Sequence, residues 1–458
     1  MSAYIAAGAR GSEMMRRSVF FRRFLAASVF VLAGADVALA QAEGSANPAI
    51  PNAAITSPPS APREWSGEDG SSGHPEMKAS AIRAAAANFP SCLESLWPLA
   101  AKRGISRASY DKFVTGLKPD LRIMDLMDAQ PEFTKAFWDY LDILVHDKRI
   151  ATGQEMLARY KLIFDRVEKE YGVDRYIITA IWGVESNYGT LGGDRPVIRS
   201  TATLACVGRR QAYFRDEFLS TLEILHRGDI RPEQLKGSWA GAFGPTQFMP
   251  TSFKRFAVDG DGDGRRDVVD SPADMIASTA NNLKKDGWVN GSTWGYEVTL
   301  PKGFNYMLAD RSKQMTLADW EKLGVRRAGG KAFPRPGEKG YLLVPAGYQG
   351  PAFIMLNNFR VLMKYNPAEA YAMAIGHLSD RFRGGAAFVQ AWPRQEPVLT
   401  RDERRELQEL LRAKGFDAGE PNGRLGAKAR AAVRDYQASM GLIPDGFGSA
   451  SILARLRR

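Results

Sequence analysis

The chain has 458 residues, 45% of them hydrophobic and 25% charged, with a formal net charge of +11. That length calls for roughly two or three domains, and the composition excludes a wholly disordered or fibrous chain. The positive balance favours a polyanionic partner, but no zinc pattern, RNA-binding motif or concentrated Arg/Lys stripe points to nucleic acid.

Residues 1–40 read as an export signal. Arg16, Arg17, Arg22 and Arg23 precede a mostly apolar run from Phe24 to Leu39, and Ala38-Leu39-Ala40 has the small-x-small form of a cleavage site. Gln41 is then the expected mature start, although Met14 or Met15 would begin a tidier signal. The run is short for a spanning helix and lacks a stop-transfer flank, so cleavage is favoured over a stable membrane anchor. No cysteine lies nearby to take a lipid. The expectation is an exported, periplasmic protein, and a basic one suits a polyanionic wall.

Residues 41–77 are rich in Ala, Ser, Pro and Gly, as in Pro58-Pro59-Ser60-Ala61-Pro62, and read as a disordered linker. From 78 to 395, helix-like runs alternate with Gly- and Pro-marked turns. This predicts a mainly α domain with minor β, the clearest strand being Gly340 to Pro345. Cys92 and Cys206 are the only cysteines. In an oxidising compartment they have one pairing available, the alternative being two buried thiols. With four histidines in the chain they make no metal site.

The most informative helix is predicted from about Asp174, a cap, to Tyr188, with Gly189 as its stop. Ile177, Ile178, Ile181 and Val184 form its apolar face. Glu185 follows Ile178 by seven residues and Ile181 by four, which sets its carboxylate on or beside that face. Lost hydration there favours a protonated carboxyl, the form a proton donor to a glycosidic oxygen needs. By itself the pattern fits an ion-pair partner or a rim residue at least as well.

Further along, Gly237 to Pro250 is a Gly-rich segment containing Ser238, Gln247 and Phe248. Asp259, Asp261 and Asp263 alternate with glycines in the manner of an EF-hand calcium loop. Arg265 would offer its carbonyl. Asp267 and Asp270 stand at the ninth and twelfth positions, and Asp274 is a rival closing ligand. The alternative is a solvated acidic turn. An ion there would be structural, and the chemistry needs no cofactor.

Residues 398–458 hold a weak repeat. Asn422 to Gly426 precedes an amphipathic run, Ala429 to Tyr436, and Asp445 to Gly448 precedes another, Ser451 to Leu456. With Arg401 to Lys414 leading, this predicts a three-helix module.

Ala180-Ile181-Trp182-Gly183-Val184-Glu185-Ser186-Asn187-Tyr188-Gly189 resembles the catalytic motif of the lytic murein transglycosylase B family. Gly237-Ser238-Trp239-Ala240-Gly241-Ala242-Phe243-Gly244-Pro245-Thr246-Gln247-Phe248-Met249-Pro250 resembles its second signature. Ala202 to Ala205 leading to Arg209-Arg210, and Tyr365-Asn366 followed by Tyr371 to Ala374, extend the match over roughly residues 80 to 390. The tail, through Leu407-Gln408, Gly415-Phe416, Tyr436-Gln437 and Asp445-Gly446, resembles a peptidoglycan-binding domain.

The resemblance implies a lysozyme-like catalytic domain at 78–395 and a peptidoglycan-binding module at 398–458. It also implies peptidoglycan glycan strands as partner, and a calcium ion on the Asp loop. Glu185 would be the single catalytic acid and base, leaving a 1,6-anhydro product. Tyr140, Arg209, Arg210, Ser238, Gln247, Phe248, Tyr365 and Tyr371 would contact substrate. Rival readings are a hydrolytic muramidase and a wall-binding scaffold without activity.

Overall fold

The apolar runs of the core become helices packed on one another, and the fold is mainly α. The computed structural model describes residues 64–70, 72–128 and 136–458. The expected signal, and the linker as far as residue 63, lie outside the described residues. The linker's end needs correction. Ser66 donates through its amide and its hydroxyl to Asp125 at 3.0 and 2.7 Å, and Asp69 accepts from the Ala79 amide at 2.7 Å. Trp65 packs on a hydrophobic cluster. Apolar anchors at Trp65 and Met77 outweigh the polar composition between them.

Among the described residues two large apolar clusters make the helical core, and a third lies on the sheet. One gathers the N-terminal helices, Ala79–Ala87, Phe89–Lys102 and Arg107–Val114, against Val197–Cys206 and Gln211–Arg227. Cys92 and Cys206 are bonded here, with Cα atoms 6.0 Å apart, across a sequence separation of 114. The larger cluster surrounds the helix Arg175–Ser186. Ile177, Ile178, Ile181 and Val184 are all buried. Against it packs Glu369–Phe382, which buries Tyr371, Ala372, Ile375 and Leu378.

Among the described residues a five-stranded antiparallel sheet runs in the order Met315–Thr316, Lys339–Leu343, Ala352–Met355, Gly295–Thr299, Arg326–Arg327. Only the Lys339–Leu343 strand was legible beforehand; three of the other four are two to four residues long, too short for an alternating pattern to register.

The tail folds as helices Arg401–Ala413, Ala427–Ser439 and Ala450–Leu456 around Leu407, Leu411, Val433, Tyr436 and Leu453. Thr400 and Glu403 close a capping box at its start. The weak repeat has a physical basis in two glutamines. Gln408 Oε1 accepts from the Gly423 amide at 2.8 Å, and Gln437 Oε1 accepts from the Gly446 amide at 2.8 Å. Each buried amide fixes the glycine turn that follows its helix.

This module is seated on the core. Arg430 pairs with Glu369 at 2.6 Å and Arg434 with Asp310 at 2.5 Å. The Tyr348 amide donates to Asp445 at 3.0 Å, and Phe447 packs at a small cluster of Ala136, Trp138 and Ala346. No helix among the described residues is long and apolar enough to cross a membrane.

Candidate active site

Asp174 caps the Arg175–Ser186 helix by accepting from the Tyr176 amide at 2.9 Å. The helix stops earlier than Gly189. Asn187 (φ 48°) and Tyr188 (φ 59°) take the left-handed conformation and turn the chain away. Tyr188 folds back over the helix, where its hydroxyl donates to the Arg149 carbonyl at 2.6 Å. Gly183 makes this fold-back feasible, since a Cβ there would stand 2.7 Å from the Tyr188 hydroxyl oxygen. Glu185 is left in the last turn with 4% of its surface exposed.

Tyr371, from the Glu369–Phe382 helix, donates its hydroxyl to Glu185 Oε1 at 2.5 Å. Burial, reinforced by the Glu185 charge, pushes the Tyr371 phenol well above its usual range. It therefore remains a donor at neutral pH. Tyr365, at the end of the preceding helix Asn357–Tyr365, is raised for the same two reasons and donates to the Thr246 carbonyl. The two tyrosines thus lie on two successive helices. Tyr140, on Phe137–Leu144, is near enough to influence Tyr371 electrostatically. The structure gathers Glu185, Tyr365, Tyr371 and Tyr140 at one place.

The Gly-rich segment is fastened to this group from two sides. Tyr365 holds Thr246, and Ser186, next to Glu185, donates to the Pro245 carbonyl at 2.6 Å. Its three expected substrate contacts are turned to building the loop. Ser238 Oγ accepts from the Ala242 amide at 3.0 Å, and Gln247 donates through Nε2 to the Gly192 and Gly244 carbonyls at 3.1 and 2.9 Å. Phe248 is buried and bridges to Phe243. The physical reason is the chain's tight return. Gln247 sits at φ 52°, where both its backbone and its side-chain amide reach the Gly244 carbonyl and the side chain ties the turn to Gly192.

Arg209 and Arg210 border the other core cluster. Arg209 donates to the Met127 carbonyl at 3.1 Å, and Arg210 lies over the Tyr213 ring at 4.7 Å. Among the described residues the non-glycine residues at positive φ are Asn187, Tyr188, Arg210 and Gln247. All four fall within the segments singled out by sequence. Such conformations cost about 1–3 kcal/mol each and gather where function over-determines the backbone.

Sequence reasoning missed Glu217. It is fully buried, accepts from the Thr251 amide and hydroxyl at 2.9 and 2.8 Å, and is pushed up by burial. It braces the start of the helix Pro250–Phe256, directly after the Gly-rich segment. Its neighbours in sequence gave no signal. Ser186 and Thr246 were also overlooked as fastenings, because they came as letters inside motifs rather than as roles.

On the acidic loop, carboxylate oxygens of Asp259, Asp261 and Asp263 converge within 4.8 Å of one another. Backbone amides, that of Gly264 foremost, hold the Asp259 carboxyl below its usual range. Hard carboxylate donors at this spacing fit a calcium ion. Asp274, expected as a rival closing ligand, stands outside the three converging carboxylates. It is buried and accepts from the Gly260 amide at 2.7 Å and the Asp267 amide at 2.6 Å. It braces the loop from inside. Arg265 turns its side chain to Asp267 at 3.0 Å.

The transglycosylase SLT domain model matches residues 88–380, and a peptidoglycan binding domain model matches residues 400–456. The chain is 30% identical to membrane-bound lytic murein transglycosylase B of Escherichia coli (strain K12) over 316 residues, 64% of this chain and 83% of that protein. It superposes on SltB3 from Pseudomonas aeruginosa with a TM-score of 0.78 and 43% identity, covering 81% of this chain and 99% of that one. SltB3 has been solved in complex with NAG-anhNAM-pentapeptide and with NAG-NAM-pentapeptide. Slt35 of Escherichia coli, solved in complex with calcium, is 27% identical with a TM-score of 0.56, covering 65% of this chain and 92% of that one. With the SLT-domain match spanning well over half its length, the chain belongs to the lytic transglycosylases, the peptidoglycan-cleaving enzymes of that family.

Proposed function

We propose that the protein is an exported lytic transglycosylase that cuts the MurNAc-β-1,4-GlcNAc bond with Glu185 as acid and then base. Glu185 gives its proton to the bridging oxygen, and the bond from that oxygen to muramic C1 breaks. The resulting carboxylate then takes the proton of the muramic C6 hydroxyl, whose oxygen bonds to C1. One 1,6-anhydro end forms, no water is consumed, and the carboxyl regains its proton. A conventional glycosidase would instead use a second carboxylate for nucleophile or water.

The observation that carries this reading is the burial of Glu185 beneath the Tyr371 hydroxyl, in the family's motif. Tyr371 positions the carboxyl, while Tyr140 and Tyr365 offer flat apolar faces with polar tips for sugar. Arg209 and Arg210 supply cationic forks for carboxylates on the strand. Ser238, Gln247 and Phe248 shape the floor of the site, in keeping with their bonds. The relative solved with an anhydro-muramyl peptide supports the product class.

A calcium ion on Asp259, Asp261 and Asp263 would tie down the loop without entering the reaction. The Arg265 carbonyl would be a further ligand. The Cys92–Cys206 bond suits a periplasmic protein. The domain scheme we favour is a cleaved signal at 1–40, a tether, a catalytic domain ending near 395 and a wall-binding module from 398.

Mass analysis of fragments released from purified peptidoglycan tests the mechanism. Wild type should release fragments lighter by one water than hydrolytic products, and Glu185→Gln should bind wall and release none. Reducing-end products, or normal cleavage by Glu185→Gln, would overturn it.

A further inference from the structure

A cavity of about 400 Å³ lies between the core and the tail module, and Tyr140 stands in its wall. It is strongly cationic. Arg311, Arg404, Arg424 and Arg430 line it, and Glu369 is its one acidic residue. That carboxylate is already engaged, by Arg430 at 2.6 Å and by Arg311. Arg404 stands differently. Its Nε and Nη2 are buried and have no hydrogen-bond partner among the described residues. Burial, then the charge of Arg401, lowers its guanidinium pKa. Arg404 as a whole is half-buried, and a cation in such a place gains from a counter-charge. Guanidinium forks match carboxylates in a two-bond geometry. The volume is in the range of ligand sites.

We propose that this cavity is a carboxylate-binding subsite for the acidic peptide carried by the glycan strand, with Arg404 as its principal contact. The proposal rests on the reading that peptidoglycan is the substrate, and adds which part of it the module grips. Tyr140 borders both the cavity and Tyr371, so the cavity adjoins the Glu185–Tyr371 pair, and a peptide on a strand held at Glu185 is placed to reach Arg404. The module then selects strands that keep their peptides and does so within the catalytic unit.

The test measures binding to the Glu185→Gln protein, which leaves the strands uncut. Three probes are compared: strands bearing peptides, strands stripped of peptides by an amidase, and strands whose peptide carboxylates have been converted to amides. The unaltered cavity should bind peptide-bearing strands about tenfold tighter than either other probe. Adding Arg404→Gln should bring that ratio close to one, and Arg404→Lys should restore part of it. An equal affinity for all three probes in the Arg404 protein overturns the proposal, and needs no variant that must fold. A ratio unchanged by Arg404→Gln assigns the selectivity elsewhere and overturns it too. Because these ratios are read without chemistry, they stand apart from the product analysis that tests the cleavage mechanism.

Discussion

Tyr371 donates to Glu185 across 2.5 Å although 186 residues separate them in sequence. The bond ties two packed helices at the point where the reaction is placed. Tyr371→Phe keeps the ring and removes only that donor. A hydrogen bond to a charged group contributes about 1.5–3 kcal/mol, so kcat should fall roughly ten- to a hundredfold. KM should change far less, since the ring still fills its place. Steady-state release of muropeptides checks this, and a variant with unchanged kcat removes Tyr371 from the positioning role.

Glu369, two residues earlier on the same helix, is buried. Desolvation alone would raise its pKa, but Arg430 and Arg311 bring it from 4.5 down to about 2. Its folded value is depressed, so its contribution to stability is complete above about 4.5 and is lost as pH falls through about 2. Glu369→Gln leaves two partly exposed arginines facing a neutral amide and should cost about 1.5–3 kcal/mol at neutral pH. The variant should also lose part of the acid dependence between those two values. Denaturant midpoints measured at several pH values decide it.

The Cys92–Cys206 bond closes a loop with a separation of 114 residues, and Glu185 lies inside it. Chain-entropy reasoning assigns such a loop about 4–5 kcal/mol. Reduction, or Cys92→Ala with Cys206→Ala, should lower the denaturant midpoint of core and tail together. Matching midpoints for oxidised and reduced protein would contradict this.

Calcium should raise the melting temperature through the Asp259–Asp261–Asp263 cluster. At a hundred times its dissociation constant the gain is about 2.7 kcal/mol. A chelator should reverse the shift, and Asp261→Asn should abolish it. Magnesium should do less, because it holds its waters and demands a stricter octahedron. Melting curves with each ion make the comparison, and an equal rise with both would argue for nonspecific charge screening.

The sequence made the glutamate helix legible because its apolar face has a helical period and Asp174 is a conventional cap. Its end at Asn187 was misread as Gly189, since a left-handed asparagine stop depends on Tyr188 folding back onto Gly183. The tail was legible down to its glycine turns and its two glutamines, though not the bonds by which those glutamines hold the turns. The sheet was largely hidden by short strands. Roles in the Gly-rich segment were assigned by resemblance, and the bonds of Ser238 and Gln247 turn out to serve the loop. Long-range partners such as Arg430–Glu369 left no local trace, because a charge on a helix reads alike whether it meets water or another domain.

The seating of the tail has a consequence for how the molecule unfolds. Arg430, Arg434, Asp445 and Phe447 reach into the core and share its buried charges and aromatic surface. A protein trimmed after residue 397 would leave Glu369 with one arginine in place of two, and would wet the Trp138 face. Heat should therefore melt core and tail in a single cooperative calorimetric step. The thermodynamic unit is then the pair, whatever the boundary that the two family models draw between them.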